Sequence, residues 1–177
     1  MSLSGNYFQQ RSQFQGRVPS NIYPQIIKWT QIVSVDLLIK FEGRYLLGLR
    51  KNKPAQGLYF VPGGKVYNNE LVKDGVRRVA LEEIGLKNIS MPIAIGAYEH
   101  IYDDHYAGDS HGTHYIVFAH EIELESLDQL HIGSDDQHSN FVWMTPEEIL
   151  SRPDVHPYNK YYFTVDPPNR IFYQSSI

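Results

Sequence analysis

The sequence predicts an α/β (α+β) sandwich in which a mixed β-sheet packs between helices. Three observations lead there. Two apolar runs meet at Glu42-Gly43 like a hairpin, residues 69–84 take on helical apolar spacing, and further strand-like runs alternate with short helical ones. With 177 residues, 42% of them apolar, the chain can bury a substantial core in one domain and has little room for a second.

In chain order, residues 1–17 are polar and glutamine-rich, and residues 1–22 read as a flexible extension. Tyr23 to Trp29 reads as a short helix with Pro24 near its first turn. Ile32–Phe41 and Arg44–Arg50 form the two hairpin strands, Lys51–Gly57 is a turn-rich connection, and Leu58–Val61 is a short extended piece. Pro62-Gly63-Gly64 is expected to interrupt regular structure. A helix is expected from Asn69 to Ile84, with Asn69 as its N-cap, Val72, Val76, Val79 and Ala80 on its apolar face, and Gly85 as its stop. Strands follow at Ile93–Tyr102, His114–Leu124 and Phe141–Met144. Thr145-Pro146-Glu147-Glu148 is a capping-box opening to a helix through Leu150, and Tyr158–Phe163 adds a helical turn. One domain is expected over residues 23–165, with 166–177 as a C-terminal tail.

Composition narrows the function. The net charge is −4, and no basic run is longer than Arg77-Arg78, which argues against a nucleic-acid partner. A phosphate ligand would then need a bound cation to supply part of the positive charge. There are no cysteines, which excludes thiolate zinc sites and disulfides. No stretch is long and apolar enough for a membrane span, and the start lacks a secretory apolar segment, so a cytoplasmic protein without membrane partners is expected.

The chemistry is concentrated in residues 64–86, GKVYNNELVKDGVRRVALEEIGL. Positions 79, 82 and 83 are spaced i, i+3, i+4, so they share one helical face. Carboxylates there suit a hard divalent cation with oxygen ligands. Taken alone, Glu70, Asp74, Glu82 and Glu83 could equally be a solvated face paired with Arg77 and Arg78.

The register decides between these readings. Gly64, Glu70, Arg78, Ala80, Glu82, Glu83, Gly85 and Leu86 resemble the fixed positions of the Nudix box. The resemblance implies a Nudix-like sandwich and a Mg2+-dependent hydrolase, with Mn2+ a substitute. One position departs from the pattern: Val79 stands where the box carries a Glu that binds metal or activates water.

Other segments resemble the GDP-mannose mannosyl hydrolase branch of the family, which also lacks that Glu. They are Pro54-Ala55-Gln56-Gly57 before Phe60-Val61-Pro62-Gly63-Gly64, Tyr102-Asp103-Asp104 running on to Thr113-His114-Tyr115, and Asp136-Gln137-His138 before Phe141-Val142-Trp143. The resemblance covers about Tyr23 to Phe163. It implies a nucleotide-sugar substrate attacked by water at the anomeric carbon, with Gly64, Glu83 and Gln137 as magnesium ligands, His138 as general base, and a homodimer. Glu82, where some members carry a small residue, would add a ligand or an outer contact. Lys65, where members carry Arg, and Arg50 are candidate phosphate contacts. Asp36 lies mid-strand among apolar residues, which suits either a sugar or Arg partner or a solvent-facing position. Tyr115 is a candidate substrate contact, and Tyr102 reads as sheet packing. His100, His105, His111 and His114 crowd one loop region without ligand spacing, which suits substrate-loop or structural roles. Two alternatives stay open: phosphorus attack on another nucleoside diphosphate derivative, and a non-catalytic nucleotide-binding module.

Overall fold

A computed structural model of the chain describes residues 18–89, 92–106, 111–131 and 138–172, with backbone only at 138, 139 and 172. The elements run α1 (Tyr23–Trp29), β1 (Ile32–Phe41), β2 (Arg44–Arg50), β3 (Tyr59–Phe60), β4 (Gly63–Lys65), α2 (Val72–Ile84), β5 (Ile93–Tyr102), β6 (Thr113–Glu123), β7 (His138–Met144), α3 (Pro146–Ser151), α4 (Pro157–Tyr161) and β8 (Arg170–Phe172).

The sheet runs β3-β2-β1-β6-β5-β8, with β4 on β1 and β7 on β2. It is mixed, because β1 pairs parallel with β6 and antiparallel with β2 and β4. The antiparallel side of β1 changes partner along its length. Ser34, Val35 and Asp36 face Lys65, Gly64 and Gly63, while Lys40 and Phe41 face Tyr45 and Arg44. Strand alternation then sends β1 side chains to two cores. Val35, Leu37 and Ile39 pack with Val76, Val79, Ala80 and Ile84 of α2. Leu38, on the opposite face, packs with Tyr98, Val117, Ile149 of α3 and Tyr162 just after α4. The sheet is therefore sandwiched between α2 on one face and α3 with α4 on the other.

Three local expectations need correction. Pro62-Gly63-Gly64 does not end regular structure, since Gly63–Lys65 is strand β4 against β1. A side chain at Gly63 would place its Cβ 2.5 Å from Asp36 Oδ1, so glycine permits this close pairing. Asn69 is not the N-cap of α2. It has φ 63°, and the helix starts at Val72 after Leu71, so Glu70 lies in the preceding turn and not on the helix. Residues 170–172 add strand β8 to β5, an element the sequence did not disclose. Gly85 ends α2 in the left-handed conformation at φ 66°, and Thr145 with Glu148 closes the capping box of α3, both as read from the sequence.

Candidate active site

A cleft of about 650 Å³ opens where β1 changes partner, bordered by β4, the exposed side of α2, β2 and the β5–β6 end of the sheet. Asp36, Arg50, Gly64, Lys65, Glu82, Glu83 and Tyr115 all line it. Residues as far apart in sequence as Asp36 and Tyr115 thus meet at one surface.

Arg78 organises the rim between β4 and α2. Its Nε donates to Glu70 Oε1 at 2.7 Å, and its Nη2 donates to Glu70 Oε2 and to the Lys65 carbonyl, each at 2.8 Å. Its Nη1 donates to Glu82 Oε2 at 2.9 Å, and the guanidinium stacks 3.7 Å from the centre of the Tyr67 ring. Glu70 also accepts the Tyr67 N–H at 2.8 Å. Burial would raise the Glu70 pKa, but the Arg78 and Tyr67 donors outweigh it and hold the carboxylate below its ordinary range. Glu70 and Arg78, read from the sequence as fixed positions of the Nudix box, form a bidentate clamp that also holds the glycine-bearing strand through the Lys65 carbonyl.

Next to this clamp, Val79 is 1% exposed, packs into the core and reaches the cleft wall with an aliphatic side chain that carries no ligand atom. Glu83 is buried but lines the cleft, and Glu82 is exposed at its edge. A Cβ on Gly64 would sit 2.9 Å from Val79 Cγ2, so strand and helix approach this closely because residue 64 is glycine.

Across the cleft, Arg50 Nε donates to the Pro54 carbonyl at 2.8 Å, and the guanidinium lies 5.8 Å from the centre of the Phe60 ring. Lys65 Nζ sits 3.5 Å over the Tyr23 ring, and the Tyr23 hydroxyl is hydrogen-bonded to that of Tyr115. Asp36 does not face solvent. It is 6% exposed, on the α4 side of the sheet, and accepts a hydrogen bond from the Tyr162 hydroxyl. His138 pairs with Arg50 in the β2–β7 register, so its backbone lies beside a cleft-lining residue. Gln137 lies outside the described residues.

Sequence reasoning missed Tyr23 as a cleft residue, read Tyr102 as sheet packing and left His100 between a substrate-loop and a structural role. All three line the cleft. Their signal was an aromatic and histidine surplus at one end of the sheet, visible only after β5, β6 and α1 are brought together. His105 and His111 stack on each other, and His114 pairs with Glu99 at 3.2 Å, away from the cleft residues named above.

A NUDIX domain model matches residues 30–165 of this chain. The chain belongs to the Nudix family. Over 147 residues it is 39% identical to the low-salt glycan biosynthesis protein Agl8 of Haloferax volcanii, an alignment spanning 82% of this chain and 88% of that one. Among solved structures it resembles the MutT protein of Methanosarcina mazei (25% identity, TM-score 0.61, 75% of this chain and 90% of that chain). The MutT Nudix hydrolase of Burkholderia pseudomallei shares the fold at 24% identity, with a TM-score of 0.62 over 76% of this chain and 96% of that one.

As a Nudix hydrolase the protein belongs to a family that uses divalent metal ions such as Mg2+, and its donor set can be tested against that need. The Gly64 carbonyl and the Glu82 and Glu83 carboxylates are hard oxygen donors at one side of the Nudix cleft. These residues fit such an ion. Among the described residues, no three or more His, Cys, Asp or Glu side chains gather as a metal cluster. No helix in the described residues is long and apolar enough to cross a membrane.

Proposed function

We propose that this Nudix hydrolase cleaves a nucleotide sugar, GDP-mannose being the leading candidate, by attack of water on the anomeric carbon. The observation that carries the reading is Val79. The helix position that would supply the water-activating carboxylate for phosphorus attack is a buried aliphatic side chain, while the rest of the box is in register. A base must then come from another element, and a different electrophile becomes the natural target. The glycan-biosynthesis name of the Haloferax relative agrees with a sugar-bearing substrate.

The cleft residues divide the work. Arg50, Lys65 and Tyr115 form a polar wall suited to the diphosphate, and they would orient it and take up charge as it departs. Asp36, at the floor of the cleft, is placed to accept a hydrogen bond from a sugar hydroxyl. The carbon–oxygen bond breaks with its electron pair going to the diphosphate oxygen. That leaving group is already acidic, so no general acid is required. His138, on β7 beside Arg50, is assigned the proton of the attacking water, a task suited to an imidazole titrating near neutrality. Gly64, Glu82, Glu83 and Gln137 would hold the Mg2+ ion, which supplies the charge that stabilises the diphosphate. The same branch resemblance leads us to infer a homodimer.

Incubation with a panel of nucleotide sugars and Mg2+, with products separated, tests the reading. GDP plus free sugar supports it. GMP plus sugar phosphate would assign the enzyme to phosphorus attack, and absence of turnover across the panel would make it a binding module.

A further inference from the structure

Beneath the cleft floor lies a buried polar group that the reaction outlined above does not use. Tyr162, 7% exposed and not itself lining the cleft, donates its hydroxyl proton to Asp36 Oδ2 at 2.5 Å. The Tyr162 hydroxyl oxygen is also 3.2 Å from Nε2 of His100, which is 2% exposed and does line the cleft. A phenol has one proton to give, and here the carboxylate takes it. The His100 contact is therefore a hydrogen bond only if Nε2 carries the proton and donates to the tyrosine oxygen. Burial, with His156 nearby, lowers the His100 pKa to about 3, so the ring is neutral at pH 7 and must choose one tautomer.

The segment carrying Tyr162 is seated firmly enough to impose that choice. Asn159 of α4 accepts the Val61 N–H at 2.9 Å. Tyr158 accepts the Ile101 N–H at 2.9 Å and donates to the Ile101 carbonyl at 2.7 Å, bracketing the residue after His100. The Tyr158 ring also stacks on His100, with centroids 4.3 Å apart and planes 4° from parallel. Tyr162 packs edge-on against Tyr98 at 4.9 Å.

We propose that Tyr162 is a positioning residue: it aims the Asp36 carboxylate and locks His100 in the Nε2–H tautomer, making the two one preorganised floor for the sugar half of the substrate. The substrate half of this inference rests on the nucleotide-sugar reading, and the tautomer half does not. Such preorganisation is felt in the reacting geometry more than in overall binding, because small misplacements of a positioning group act mainly on the transition state.

The test begins with the intact wild-type protein, labelled with nitrogen-15. Two-bond proton–nitrogen correlations of the imidazoles, with His100 assigned by its loss in His100→Gln, give the tautomer directly. Nε2–H is the expected result, and Nδ1–H overturns the proposal without any substrate having to be known. In Tyr162→Phe, checked for a cooperative thermal transition, the His100 signals should move to a mixture of tautomers. On whichever nucleotide sugar the panel identifies, kcat should fall by about 10-fold or more while KM stays within about threefold. A Tyr162→Phe protein with an unchanged tautomer, or with unchanged kcat, overturns the positioning role. If no nucleotide sugar is turned over, the substrate reading fails, and the wild-type tautomer still decides the role of Tyr162.

Discussion

Replacing Arg78 with Ala should cost more stability than any other single change at the rim of the cleft. The substitution leaves Glu70, whose side chain is 10% exposed, without its bidentate partner. It also removes the donors to the Lys65 carbonyl and Glu82, and the stacking on Tyr67. Deleting one partner of a fully buried ion pair costs about 3–5 kcal/mol, because the remaining charge is stranded. Arg78 is 21% exposed, so water offsets part of this and about 2–3 kcal/mol is expected. For a chain of this size each kcal/mol moves Tm by about 2–4 °C, which gives a fall of roughly 5–10 °C in a calorimetric scan. Arg78→Lys keeps the charge but loses the planar fork, and should fall between the two. Removing Glu70 as well should recover part of the loss, since no buried carboxylate then remains to be stranded. A Tm for Arg78→Ala within about 2 °C of wild type would show that the clamp is not what fixes β4 to α2.

Buried His100 and half-buried His156 make the fold acid-sensitive. His100 is held at about 3 by burial and His156 at about 4 by burial and Arg50, so the unfolded chain binds their protons first, and stability falls as pH drops below about 6.5. At about 1.4 kcal/mol per pH unit, His100 alone costs about 2–3 kcal/mol between pH 6.5 and 4.5. Urea midpoints should show this as a steeper acid dependence in wild type than in His100→Gln, and parallel curves would refute it. Glu83→Gln should fold normally yet lose most turnover at limiting Mg2+, and near-wild-type activity there would remove Glu83 from the metal site. His138→Gln should lower kcat by about 100- to 10,000-fold and abolish the acidic limb of the pH–rate profile, with KM changed much less. A rise in KM alone would make His138 a binding residue.

The parts of this molecule that were readable from sequence are those whose cause is local. Glu42-Gly43 announces the β1–β2 turn, Gly85 the end of α2, and Thr145 to Glu148 the start of α3, because each conformation depends on residues within a turn of one another. The Nudix register placed Gly64 and Glu83 together for the same reason, since one helix face and the loop before it carry the pattern. What was not readable depends on partners far along the chain. Pro62-Gly63-Gly64 looks like a break, yet β1 recruits the two glycines as an edge strand. Asn69 looks like a cap, but the Glu70–Arg78 pair draws the chain into a turn before the helix begins. Asp36 could be assigned to solvent or to a partner only once Tyr162, 126 positions away, was seen to reach it.

The claim that the missing box carboxylate goes with attack at carbon is tested most directly by hydrolysis in oxygen-18 water. The turned-over nucleotide sugar, GDP-mannose first, is incubated with enzyme and Mg2+, and both products are weighed by mass spectrometry. Carbon attack predicts one heavy oxygen in the free sugar and none in the GDP. Heavy oxygen in a phosphate of the nucleotide product would contradict the assigned chemistry while leaving the chain a Nudix hydrolase.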